Sequence, residues 1–162
     1  DFIVSGKGGR GILLVVVDRK LRVTFIEQIY VVTIKAVHGA AQKIKRRYTE
    51  WHTGTTDNDL LFARHRELEI ELMIKIFFCH PYHSWEKGTV ENTNGEIRKY
   101  FPKGSDVSLK SSLFFKDIEK KLNDRFMKCL RYKTPHEALL LCRKQKEARR
   151  LRKGKENVER SN

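Results

Sequence analysis

The sequence predicts a mixed α/β domain, a β-sheet of about five strands flanked by helices. Three observations carry that expectation. The run Ile12 to Val17, ILLVVV, is continuously apolar, which suits a central strand covered on both faces. Strand-like segments crowd the beginning of the chain and are joined by short polar turns. Later segments repeat apolar residues at spacings of three and four, the period of an amphipathic helix.

Asp1 to Val4 is short and β-branched, and the glycines of GKGGRG (Gly6 to Gly11) break it. No Lys-Ser or Lys-Thr follows the last Gly, so the phosphate-loop pattern fails and a hairpin connection is expected. After Ile12 to Val17, the turn Asp18-Arg19-Lys20 leads into a strand over Arg22 to Tyr30, completing an antiparallel meander. Ile34, Val37, Ala41 and Ile44 predict a helix over about Thr33 to Arg47. The segment YTEWHTGTTDND should hold the next strand although it is poor in apolar residues. Arg64 to Leu72 reads as helix and Met73 to Cys79 as strand. A helix over Val90 to Tyr100 is stopped by Pro102 and Gly104, and two more follow around Phe114 to Cys129 and Pro135 to Arg150.

The charge is lopsided. Against 20 Asp and Glu stand 34 Lys and Arg, a net of +14 with a pI near 9.9, which points to a polyanionic partner and first of all to nucleic acid. From Arg143 onward nine Lys or Arg face three Asp or Glu, a basic tail expected to be helical at first and partly disordered by its end. Cys79, Cys129 and Cys142 imply no disulfide framework and suit a reducing compartment. No apolar run reaches transmembrane length, and no signal pattern opens the chain, so no membrane partner is expected. The chain starts at Asp1, inside an apolar run and without Met, as a fragment would.

Cys79-His80-Pro81-Tyr82-His83 clusters potential metal ligands, but no partner pair lies at zinc spacing, and a polar strand exit is the simpler reading. The stretch Ser84 to Gly104, SWEKGTVENTNGEIRKYFPKG, is less ordinary. With Thr89 as cap, Glu91 would sit in a helical first turn, where the dipole favours an acid. On a helix, however, Glu91, Asn94, Gly95 and Arg98 share one face beside an apolar stripe of Val90, Ile97 and Phe101. A carboxylate, an amide and a guanidinium on one edge suit a metal and a phosphate. Asp57, in TTDN at an expected strand end, and Asp1, on the first strand, are acids that a mixed sheet can bring to the same edge.

The pieces DFIVSGKGG, VVVDRKLR, TTDN, PYHSWEKGTVENTNGEIRKYFPKG and LNDRFMKCLRYKTPHEAL together resemble the catalytic core of DDE-type transposases of the bacterial insertion-sequence-thirty family, itself similar to retroviral integrase. The resemblance spans Asp1 to about Leu139 and implies a ribonuclease-H-like fold. It divides the chain into a catalytic core over 1–142 and a basic tail over 143–162. It implies that Asp1, Asp57 and Glu91 are the three catalytic acids. Asp1 would bridge two Mg²⁺ ions, and Asp57 and Glu91 would each hold one, with Mn²⁺ as a substitute. It further implies cleavage at the ends of an element, joining to target DNA, and assembly of several copies on DNA in the bacterial cytoplasm, at the nucleoid. Trp85, Lys87, Asn94, Arg98, Lys99 and Lys103 are the expected DNA contacts. Asp18 matches a turn acid.

The departures from the family pattern are Asp59 and Leu61, where Gly and Glu are usual, His80 for Asp, and Phe126 and Arg131 for Pro and Gly. Asp59 is expected to strain a turn that favours Gly and to add charge near the metals. These departures support a rival reading, a catalytically inactive DNA-binding remnant. A nuclease acting on RNA–DNA hybrids is a second rival, which the Pro81 to Gly104 match disfavours.

Overall fold

In a computed structural model that describes residues 1–80 and 87–159, the first three predicted strands form the meander expected of them. Strands β1 (Phe2–Val4), β2 (Ile12–Val17) and β3 (Thr24–Ile29) lie in the order β1-β2-β3, all antiparallel, with Ile3 opposite Leu13 and Val15 opposite Ile26. Helix α1 (Ile34–Arg47) follows, capped by the Thr33 side chain on the Ala36 N–H. Then come β4 (Thr53–Thr56), α2 (His65–Leu72), β5 (Lys75–Phe78), α3 (Gly88–Tyr100), α4 (Ser112–Asn123) and α5 (Pro135–Glu159).

Period-two alternation divides the central strand between two cores. Leu13 and Val15 join Ile3 and Ile26 under Ile97 and Phe101 of the α3 segment and Phe115 and Ile118 of α4. Ile12 and Leu14 join Phe25 and Ile29 against Val37, Ala41 and Ile44 of α1 and Leu68 and Leu72 of α2. The continuous apolar run is thus buried on both faces. The chain therefore has helices on each side of its meander, which is the expected layer order.

Several boundaries differ from the expectation for identifiable reasons. The sheet is not one ladder: β4 and β5 pair in parallel as a separate two-stranded sheet, and among the described residues no ladder joins them to β1. Helix α4 stops at Asn123 instead of Cys129. Its amide clamps the start of β3, accepting from the Thr24 N–H and donating to the Thr24 carbonyl, both at 2.8 Å. Beyond it Met127 bridges Lys133, and Arg131 and Tyr132 both take left-handed backbone, with φ of 55° and 59°. A Gly at Arg131 would relieve about 1 kcal/mol of that strain. At Asp59 no such strain exists: φ is −70°, and the carboxylate caps the next turn by accepting from the Leu61 N–H at 2.8 Å. Helix α5 continues past Arg150 to Glu159.

The glycine loop between β1 and β2 has a packing reason that its composition hides. A Cβ on Gly6 would stand 2.2 Å from the Gly104 carbonyl oxygen, so the two backbones touch, and the Gly6 N–H donates to Ser105 at 3.0 Å. The loop after α3 is thereby pinned against the loop after β1.

Two buried acids tie the layers together. Glu119 of α4 and Glu27 of β3 share Arg47 of α1, at 2.6 and 2.8 Å, and Lys116, at 3.3 and 2.7 Å. Glu119 also accepts from the Ile26 N–H at 2.6 Å. Removing one member strands the opposite charges. Glu119→Ala is expected to lower unfolding free energy by about 3 kcal/mol in urea denaturation, with the m-value unchanged.

Arg143 fastens α5 to the turn before β4, donating to both Glu50 oxygens at 2.8 and 3.1 Å. That hydrogen bonding outweighs burial and holds the Glu50 carboxyl down at about 2, from an ordinary 4.5. An acid depressed in the folded state contributes stability above its unfolded value and loses it as pH falls. The difference in melting temperature between the parent and Arg143→Gln should therefore be full at pH 6 and shrink as pH drops from 4.5 toward 2.

Candidate active site

Asp1 owes its position to β2. The Asp1 nitrogen donates to the Val15 carbonyl at 3.0 Å, and the Val15 N–H donates back to Asp1 at 2.9 Å, so the residue is clamped on the central strand. Asp57 follows β4 directly, and the Cys79 N–H donates to the Thr56 carbonyl at 2.8 Å, continuing the β4–β5 pairing beside it. The two carboxylates meet at one cation. Lys87 Nζ stands 3.1 Å from Asp1 Oδ1 and 2.9 Å from Asp57 Oδ2. Burial works to raise the Asp57 carboxyl, but the Lys87 hydrogen bond and charge outweigh it and hold it below the ordinary carboxylate value.

Helix α3 presents a face to β1. Asn94 Nδ2 donates to the other Asp1 oxygen, Oδ2, at 2.7 Å, and Arg98 donates to the Val4 carbonyl at 3.1 Å and the Pro102 carbonyl at 3.3 Å. Positions 87, 91, 94 and 98 follow one helical face, so Glu91 lies between Lys87 and Asn94. Its side chain is exposed. Among the described residues no three His, Cys, Asp or Glu side chains stand close enough together to hold a metal ion. The structure brings Asp1 and Asp57 together and leaves Glu91 on the adjoining surface.

The other predicted residues scatter. Gly95 is open, with nothing near a Cβ placed there. Lys99 is exposed and paired with Glu96 at 2.7 Å, and Lys103 is exposed. Arg98 is partly buried, lies over the Phe101 ring, and spends its donors on backbone. Trp85, with Pro81, Tyr82 and His83, lies outside the described residues. Asp18 is a turn acid, accepting from the Lys20 and Leu21 N–H groups and from the Tyr48 hydroxyl. Thr89 does not cap α3. Its hydroxyl accepts from Arg22 at 2.8 Å, and the helix begins at Gly88 without a side-chain cap.

Beside the acids opens a cleft of about 370 Å³ between the far half of β2 and β4. Asp1 and Lys87 stand on its wall together with Thr89 and Thr55, and Phe62 and Ile76 give it an apolar side. Asp1 is thus reachable from the cleft, and the Asp57 side chain is itself exposed to solvent. The sequence places Lys87 among the expected DNA contacts; what it does not reveal is that Lys87 stands between Asp1 and Asp57. Its position four residues before Glu91 and seven before Asn94 is the signal that puts it on the acids' face.

No protein-family model matches the chain. It is 42% identical over 138 residues to the transposase of insertion sequence element IS4351 from Bacteroides fragilis, covering 83% of this chain and 41% of that protein. It is 34% identical over 139 residues to the InsI transposase of element IS30A from Escherichia coli K12, covering 85% of this chain and 36% of that protein. The chain therefore spans about two-fifths of the curated relatives it matches. In fold it is similar to the catalytic core domain of BIV integrase, with a TM-score of 0.70 at 22% identity over 91% of this chain and 95% of that one. A chain of the simian T-cell lymphotropic virus intasome gives a TM-score of 0.71 at 19% identity, over 85% of this chain and 51% of that one. Sequence and fold agree: the relatives that the chain matches are transposases of the insertion-sequence-thirty family, and the chain carries the ribonuclease-H-like fold of the integrase catalytic cores.

Proposed function

We propose that this chain is the catalytic core of a DDE transposase, which cuts DNA at element ends and joins the freed 3′-hydroxyl to a target. The observation that carries the proposal is the meeting of Asp1 and Asp57, from strands far apart in sequence, at one cation position. The donor set fits a hard divalent ion: carboxylate oxygens are its preferred ligands. Asn94 adds a buried Oδ1 with no hydrogen-bond partner among the described residues, an acceptor that a hydrated ion would satisfy. Bound Mg²⁺ or Mn²⁺ would activate the attacking oxygen and stabilise the leaving one.

The chain's own residues supply the geometry. Asp1, held by two bonds to Val15 and one from Asn94, is the fixed acid. Asp57 closes from β4. Glu91 completes the triad by moving inward from its exposed place on α3. DNA is the partner, drawn by the net charge of +14, and several copies assemble on it. The rest of the transposase, including what reads the element ends, belongs to the portion that the relatives have beyond this span.

A second reading has its own support. Glu91 stands apart from the other two acids, as in a remnant that binds DNA without cutting it.

Two measurements decide. Duplexes of unrelated sequence should bind alike, with log K falling against log salt by about 0.9 per phosphate neutralised; strong preference for one sequence or a flat salt response contradicts the DNA assignment. Glu91→Gln, made in a protein extended to the length of the relatives, should abolish Mg²⁺-dependent nicking while keeping fold and DNA binding. If Glu91 is only a first-turn acid, the change costs roughly 0.3–1 kcal/mol of stability and leaves nicking intact. A parent protein that binds DNA and never nicks it supports the remnant.

A further inference from the structure

We propose that Lys87 is a built-in counter-ion: it occupies the cation position between Asp1 and Asp57 and must leave it before a divalent ion can bind. The inference rests on the metal-site reading above and goes beyond it, because it makes metal affinity a competition set by one side chain.

The geometry is specific. The ammonium lies 2.9 and 3.1 Å from one oxygen of each acid. Its side chain is only 13% exposed, so the contact is built into the wall and not a surface encounter. A Mg²⁺ ion needs the same oxygens at about 2.0–2.1 Å, with its own waters around it. The ammonium and the ion would then claim one volume, and two cations at that separation repel. Lysine suits a movable plug because it is a point charge on a flexible four-carbon stem. The backbone at Lys87 adds freedom, since it precedes α3 and makes no side-chain cap. Asn94 keeps Asp1 oriented from its other oxygen while Lys87 departs. The displaced ammonium is left at the mouth of the cleft, where a DNA phosphate can take it.

The test is a Mn²⁺ titration of the 162-residue chain, followed by the electron paramagnetic resonance of the free ion. Lys87→Gln should tighten Mn²⁺ binding at least tenfold relative to the parent, and Lys87→Arg should not. In EDTA, Lys87→Gln should melt lower than the parent, and Mn²⁺ should raise its melting temperature more. A second measurement needs no variant: acetylation of Lys87 by a soluble acylating reagent, read by mass spectrometry, should accelerate several-fold when Mn²⁺ is added to the parent. Equal Mn²⁺ affinities in parent and Lys87→Gln, or unchanged Lys87 labelling with Mn²⁺ bound, overturn the counter-ion role and leave the metal site standing. Failure of both proteins to bind Mn²⁺ at millimolar concentration overturns the metal site itself, and the counter-ion role with it.

Discussion

Everything in this molecule hangs on a strand that has no solvent face. Because β2 is apolar at every position, it must be covered on both sides, and that requirement recruits α1 and α2 to one side and α3 and α4 to the other. The same strand fixes the place of Asp1. Val15 is fully buried and bonds Asp1 through both backbone groups, so Asp1 is tied to the most deeply packed element. A charged group can be held accurately at the edge of a core only if its backbone belongs to that core.

The legible part of the fold was the part written as hydrophobic period. ILLVVV and the spacing of Ile34, Val37, Ala41 and Ile44 each carry their structure locally. Less legible was β4, whose TGTT sequence has almost no apolar content; its strand character comes from the backbone of β5 alongside it. The end of α4 was illegible because the Asn123 side chain is claimed by Thr24, 99 residues away. Thr89 misled for a similar reason: a good capping residue was taken by Arg22 from another element. Asp59 was misjudged through the family pattern, where Gly suggested a left-handed backbone that this turn does not use.

For the site, the resemblance singled out Asp1, Asp57 and Glu91, but the electrostatic surroundings of these acids were not legible in the sequence. Three carboxylates lead one to expect mutual repulsion, whereas the folded chain bridges two of them with the single positive charge of Lys87. The same device appears beside β3, where the buried Glu27 and Glu119 share the partly exposed Arg47 and Lys116. The two clusters differ in what surrounds them. The quartet joins α1, β3 and α4 and is fixed by a backbone N–H, while Asp1 and Lys87 line a cleft. One is a permanent bolt between layers, and the other is a charge balance that can be exchanged.

Helix α3 is fastened unevenly, and that has a mechanical meaning. Its far end is sunk in the core through Ile97 and Phe101, tethered by Arg98 to β1, and backed by the contact of Gly6 with Gly104. Its near end begins at Gly88 with no side-chain cap, held by the reach of Lys87 to the acids and of Arg22 to Thr89. Were such a rod to pivot near Ile97, it would have to release Asn94 from Asp1 and Val90 from the core. Glu91 lies six residues out along it, roughly 9 Å at 1.5 Å per residue, so a tilt of about 15° carries that carboxylate roughly 2 Å. The glycine contact thus anchors α3 at the end opposite the one that carries Glu91.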